Sequence, residues 1–234
     1  MNMPFSVAPA QVMKDRAAYA KKGIARGRAL VAIRYEGGVA MIAENSSTTL
    51  RKVSEIYDRI AFAGAGRYNA YDQLRVAGVR AADLKGFQYS RDDVDARSLA
   101  NQYAQILGQI FTHEMKPMEV EILVAEVGFE PSGDQMFHVN YDGTVVDEDD
   151  TCVLGGDTAA ITARLISACG DLPADQCELA SAVNAAVVAL SGADRSIPPD
   201  QLEVAVLERG GSRRCFRRLD DVAVAELLNV APTG

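Results

Sequence analysis

Four cysteines, two histidines, a glycine pair and an acidic run are the residues of this chain whose types could define a chemical site. Cys152, Cys169, Cys177 and Cys215 show no Cys-x-x-Cys spacing, and two of them fall inside apolar segments. Buried reduced thiols are expected, rather than disulfides or zinc ligands. With only His113 and His138 available, a histidine-based metal centre is not expected, and neither is a cofactor. Gly155-Gly156-Asp157-Thr158 sits between a strand and a helix and faintly resembles a phosphate cradle. It lacks the Lys-Ser/Thr of a P-loop, so a tight turn with Asp157 or Thr158 as helix N-cap is the better reading. Asp147 to Asp150 reads as a solvated acidic loop.

Lys14, Arg16, Lys21, Lys22, Arg26 and Arg28 make the first segment basic on a chain of net charge −8. The acidic total disfavours nucleic acid as a partner. The apolar stripe beside those cations (Val12, Met13, Ala17, Ala20) is too thin for a membrane, so a subunit contact is expected. No stretch reaches the length of a membrane span. Met1 to Ala10 has no basic residue ahead of an apolar run, so no secretory signal is read there and cytoplasmic residence is expected.

These residues need a scaffold, and 234 residues with 48% apolar content suffice for one domain spanning 1–234. Residues 1–10, with Pro4 and Pro9 and no charge, read as a mobile arm. A helix follows over residues 11–23, with Gly23 as its stop. Ala29 to Tyr35 and Val39 to Ala43 form a hairpin around Glu36-Gly37-Gly38. After a polar loop, Glu44 to Thr49, Ile60 to Ala63 is a third strand. Helices run from Asn69 to Lys85, ending at Gly86, and from Ser90, with Asp93 completing a capping box, towards Pro117. In the second, Leu99, Tyr103, Ile106, Leu107, Ile110 and Phe111 share one face. Strands return at Val120 to Val127, Met136 to Tyr141, Thr144 to Val146 and Cys152 to Leu154. Helices at Thr158 to Ala168 and Asp175 to Leu190, strands at Leu202 to Leu207 and Cys215 to Arg218, and a helix at Val222 to Leu228 complete the chain. Short turns between strands predict antiparallel sheets. Helix pairs between sheet segments predict two stacked sheets covered on both sides, a four-layer α/β/β/α sandwich of the α+β class.

Gln11 to Asn45 (QVMKDRAAYAKKGIARGRALVAIRYEGGVAMIAEN) resembles the N-terminal helix and first hairpin of 20S proteasome α subunits. Arg51 to Arg75 resembles the third strand and first long helix of that family, and Leu99 to Val127 its second helix and following strand. YDGTVVDE, LGGDTAAI and LEVAVLER continue the match over essentially the whole chain. The details resemble the bacterial type that works with a prokaryotic ubiquitin-like tag. The resemblance implies an Ntn-hydrolase fold and homo-heptameric rings that cap catalytic β rings. It implies partners too: β subunits, a ring-shaped AAA ATPase or other activator with C-terminal tails, and unfolded protein substrates. It assigns Lys52 to the pocket that receives an activator's terminal carboxylate. It assigns Met1, Asn2, Met3, Pro4, Phe5, Ser6, Val7, Ala8 and Pro9 to an arm that gates the ring pore. The expected arm, residues 1–10, lacks the Tyr-Asp-Arg gate motif of archaeal and eukaryotic α subunits.

Ntn proteases attack with an N-terminal Thr, Ser or Cys whose own amine is the base. Beside β subunits, Arg28 falls where the threonine belongs, behind a helix and an arm. Glu44 stands where the family has its acid, and Lys52 lies near the place of the pKa-lowering lysine. Gly143-Thr144 follows a mid-domain turn, and Thr48 and Thr49 are loop residues without a free amine. No catalytic residue is therefore expected. The rival readings are an active threonine peptidase of the β or HslV kind and a nucleotide-binding enzyme built around Gly155-Gly156.

Overall fold

Apolar runs too short for helices become strands here, and their alternation decides which layer each side chain joins. The computed structural model describes residues 9–170, 173–210 and 212–229. Strands β1 (Leu30–Tyr35) and β2 (Gly38–Glu44) pair antiparallel, with Leu30 opposite Ala43 and Tyr35 opposite Gly38. Along them, Val31, Ile33, Ala40 and Ile42 point to one face; Leu30, Ala32, Val39 and Met41 point to the other. Both sets are buried, so the strands read as near-continuous apolar segments.

The remaining strands are β3 (Val53–Tyr57), β4 (Ile60–Gly66), β5 (Val120–Glu126), β6 (Gln135–Val139), β7 (Val145–Glu148), β8 (Thr151–Leu154), β9 (Leu202–Glu208) and β10 (Phe216–Arg218). They form two five-stranded antiparallel sheets, ordered β10-β9-β2-β1-β8 and β3-β4-β5-β6-β7. The helices are α1 (Pro9–Ala25), α2 (Tyr68–Gln88), α3 (Ala96–His113), α4 (Thr158–Cys169), α5 (Leu179–Ser191) and α6 (Asp221–Asn229). Val183, Ala186 and Leu190 of α5, with Leu165 of α4, cover the outer face of the first sheet. Leu74 of α2 and Leu99, Tyr103 and Leu107 of α3 cover the second. Between the sheets lies a third core layer rich in alanine: Ala32, Ala43, Ala61, Ala63, Ala65, Ala125 and Ala205. The expected α/β/β/α sandwich is the fold.

Several local expectations are corrected. Strand β3 was not legible as a strand; Ser54 and Glu55 interrupt its apolar pattern, as suits an edge position. Helix α1 begins at Pro9, where a missing N–H costs nothing. Pro9 and Ala10 thus belong to the helix, and residues 1–8 of the expected arm lie outside the described residues. Gly23 does not stop α1. A Cβ there would fall 2.2 Å from a carboxylate oxygen of Glu119, so the glycine permits a close approach. Helix α2 likewise continues past Gly86. Ser90 caps a short 3-10 turn, Arg91–Asp93, and the N-cap of α3 is Asp95, whose Oδ1 accepts from the Ser98 amide at 2.7 Å. Helix α5 starts at Leu179, after a separate 3-10 turn at Ala174–Gln176. Asp147 and Glu148 lie in β7, leaving Asp149 and Asp150 in the turn to β8. All four cysteines are free, as expected, but only Cys152 is buried. Among the described residues, no helix is long and apolar enough to cross a membrane.

Candidate functional site

The chain leaves α1 through a turn closed by the Gly27 amide on the Ile24 carbonyl (2.9 Å), and Arg28 stands at the head of β1. The antiparallel register carries the far end of β2 back beside it: the Glu44 amide bonds the Ala29 carbonyl at 3.2 Å. The Glu44 side chain is buried, with 6% exposed, and it pairs with the Arg28 guanidinium. Arg195, just beyond α5, supplies a second cation as a planar fork, Nη1 to Oε1 and Nη2 to Oε2, both at 2.8 Å. The same guanidinium donates to the Leu190 and Ser191 carbonyls at 2.9 and 3.2 Å. These are acceptors at the C-terminal end of α5, where a cation is favourable. Burial alone raises the Glu44 pKa; the bonds and charges of Arg195 and Arg28 outweigh it and hold the carboxyl below its usual range.

Lys52 completes the constellation. Its Nζ donates to the backbone carbonyl of Arg28. Burial pushes the ammonium down to about 8, against the opposing pull of Glu203 and Glu44. The loop that delivers Lys52 is tied down by Glu203 of β9, of which 2% is exposed. This carboxylate accepts from the Lys52 amide (2.9 Å), the Val53 amide (3.2 Å), the Asn45 side chain (2.7 Å) and the Arg218 guanidinium. Asn45 also reaches the Leu50 carbonyl at 2.8 Å, and Ser47 Oγ accepts from the Leu50 amide at 3.0 Å. An open cleft of about 620 Å³ borders the site, lined by Arg28, Glu44, Asp157, Arg164, Asp194 and Arg195.

The structure thus brings Arg28, Glu44 and Lys52 together, as the sequence suggested, and adds Arg195 and Glu203, which sequence reasoning missed. Glu203 left a trace as a charge inside the apolar run LEVAVLE. Arg195 left none. Thr48 and Thr49 are exposed loop residues, and Gly143-Thr144 forms the β6–β7 turn. At Gly155 the expected turn is confirmed and the cradle is filled. The Gly155 amide donates to Glu121 Oε1 at 2.5 Å, and Asp157 caps α4 by accepting from the Ala160 amide at 3.2 Å. The Asp157 carboxylate thus already occupies the N-terminus of α4, where its negative charge opposes a phosphate, and this disfavours the nucleotide reading.

Helix α1 is fastened over this end of the molecule. Arg16 donates to the carbonyls of Phe111 (2.8 Å), Ile110 (3.2 Å) and Met115 (3.3 Å), at the close of α3. Ala20 and Ile24 pack on Tyr141, with Ala17 and Phe111 beside them. Val12, Met13 and Tyr19 stay exposed on the outer side.

Two stacked antiparallel sheets between helix layers, with a lysine and a glutamate gathered at the head of the first hairpin, define a specific class. A family model described as proteasome subunit matches residues 24–207, and the chain belongs to that family. It is 58% identical to "Proteasome subunit alpha" of Acidimicrobium ferrooxidans over 234 residues, covering all of this chain and 99% of that one. Identity to the protein of the same name is 52% in Saccharopolyspora erythraea, over 97% of this chain and 89% of that one. In Kineococcus radiotolerans it is 51%, over the full length of both. Within the family this is an α-type subunit of the actinobacterial kind.

Proposed function

We propose that this chain is the non-catalytic α component of a 20S core, an access-control subunit rather than a peptidase. The observation that carries the reading is Arg28. It occupies the head of β1 in mid-chain behind α1, and its carbonyl is engaged by Lys52. An Ntn mechanism needs a free amine and a hydroxyl or thiol at that point. Here the backbone nitrogen is an amide and the side chain is a guanidinium already paired to Glu44.

In this reading seven copies close a ring, two such rings cap β rings in the cytoplasm, and unfolded, tagged chains pass through. The basic, partly apolar outer face of α1 supports its use as a subunit contact. Residues 1–8, ahead of α1, serve as the gate arm. Lys52 receives the terminal carboxylate of an activator tail, such as that of a ring ATPase; its half-buried ammonium beside the basic cleft suits an anionic chain end.

Fluorogenic peptide hydrolysis tests the reading. The purified chain is expected to be inert alone and to support hydrolysis only with a β partner. Robust hydrolysis by the lone chain, with an N-terminus newly exposed near residue 28, would refute the assignment. In the assembled core, removal of residues 1–8 is expected to speed peptide entry, and Lys52→Ala to abolish stimulation by a carboxylate-terminated tail peptide.

A further inference from the structure

A second polar cluster lies further along β1 from the head of the first hairpin, where Cys152 pairs with Ala32, at the margin of the alanine-rich layer between the sheets. Strand alternation puts it there. In the second sheet His138 stands opposite Leu123 and Val146, so Glu121, two residues before Leu123, and Glu148, two after Val146, share its face. That face looks at the first sheet, from which Cys152 projects into the same layer. His138 Nδ1 lies 3.4 Å from Glu148 Oε1, and Nε2 lies 3.3 Å from Glu121 Oε2. One ligand atom each from His138, Glu148 and Cys152 falls within a set no wider than 4.8 Å. Cys152 is 2% exposed, and the side chains of His138 and Glu148 are 13% and 26% exposed.

We propose that His138, Glu148 and Cys152 form a binding site for a divalent transition metal of the Zn²⁺ type, with Glu121 as a positioning residue. A tetrahedral zinc with bonds of about 2.0–2.3 Å sets its ligand atoms roughly 3.3–3.8 Å apart, so the observed set needs only a small contraction. Glu148 ends β7 and is the most open of the three, so it supplies the movement and leaves a water-accessible fourth position. Thiolate, imidazole and carboxylate together favour zinc over magnesium or calcium. Glu121 faces the second imidazole nitrogen, the carboxylate–histidine–metal arrangement that fixes ring orientation. Its other oxygen is anchored by the Gly155 amide. Binding displaces the thiol proton, so the cysteine enters as thiolate and the imidazole as neutral ligand. The metal joins β7 of the second sheet to β8 of the first, a cross-link between layers.

The test uses the full chain, stripped of metal by chelator and dialysed, then titrated with Zn²⁺ and separately with Co²⁺. One Zn²⁺ per chain is expected, with a higher melting temperature that chelator reverses. Co²⁺ is expected to show a thiolate charge-transfer band and the d–d bands of four-coordinate cobalt. Glu148→Gln keeps side-chain volume at a half-open position and is expected to weaken Zn²⁺ binding at least tenfold. Cys152→Ser removes the charge-transfer band, and Glu121→Gln weakens binding by about 10- to 100-fold. His113→Ala is expected to bind as the parent does. Failure to take up stoichiometric Zn²⁺, a cobalt spectrum without the thiolate band, full affinity in Glu148→Gln or loss of binding in His113→Ala would each overturn the proposal.

Discussion

Arg195 holds the carboxylate of Glu44 through two parallel 2.8 Å hydrogen bonds across 151 positions of sequence. The contact joins the end of the α5 helix to the head of the first hairpin, and with Arg28 it neutralises an acid that has lost its solvent. Replacing Arg195 by Ala is expected to lower stability by about 1–3 kcal/mol, read as a fall in the urea midpoint. Replacement by Lys is expected to recover less than half, because an ammonium cannot present the fork.

The same contact sets an acid dependence. The folded Glu44 pKa lies below its ordinary 4.5, so its contribution is complete above that pH and is lost as pH falls through the folded value. Glu44→Gln is expected to be less stable than the parent at neutral pH, with the difference shrinking below about pH 4.5. Urea titrations of both proteins between neutral and acid pH check this. A constant difference counts against it.

Lys52 makes stability rise with pH in the same direction at the other end of the scale, but because burial disfavours its charged form. Its folded pKa of about 8 lies below the ordinary 10.5, so between those values the unfolded chain binds more protons and stability rises with pH. Lys52→Gln is expected to lose that increment. The measurement is the stability of parent minus variant, which should grow from pH 8 to 10.5.

Gly78 of α2 gives a packing prediction. A Cβ at that position would lie 1.7 Å from Tyr103 Oη, and that hydroxyl is buried without a hydrogen-bond partner among the described residues. Gly78→Ala is expected to destabilise by about 1–3 kcal/mol despite alanine's better helix propensity. Tyr103→Phe removes the orphan hydroxyl and is expected to be neutral or stabilising, and it should relieve most of the Gly78→Ala cost in the double variant. Thermal unfolding of the four proteins closes the cycle.

Glu203 carries the loop that delivers Lys52. Glu203→Ala leaves two amides, an Asn side chain and a guanidinium without their acceptor, and is expected to cost about 3–5 kcal/mol. Faster hydrogen exchange at the Lys52 and Val53 amides would locate the damage; unchanged exchange there would show that the loop holds itself.

Sequence periodicity exposed the layers because strand alternation and helix spacing are local. Leu99, Tyr103 and Leu107 fall on the buried face of α3, as their spacing indicated. Helix ends were less legible, because Gly23 and Gly86 look like stops when only the backbone is considered. Glu119 and Tyr57 crowd those positions, and this is a tertiary fact. At the head of β1, the pairing of Glu44 with Arg28 follows from hairpin register, whereas Arg195 and Glu203 arrive from elements more than a hundred residues away. His138 was set aside for want of a second histidine. Its carboxylate and thiol neighbours come from three other strands that no spacing rule connects.

The layer between the sheets has a further implication. Seven of its members are alanines, side chains with no rotamers to adjust. One added methylene there cannot be absorbed by rotation, so the strain passes outward and changes the distance between the two helix layers. That distance is the thickness of the subunit. An assembly whose contacts lay on those helix layers would repeat that distance at every joint, so an error of a few tenths of an ångström would multiply with copy number until closure failed. The middle of this protein therefore acts as a gauge block for whatever is built from it.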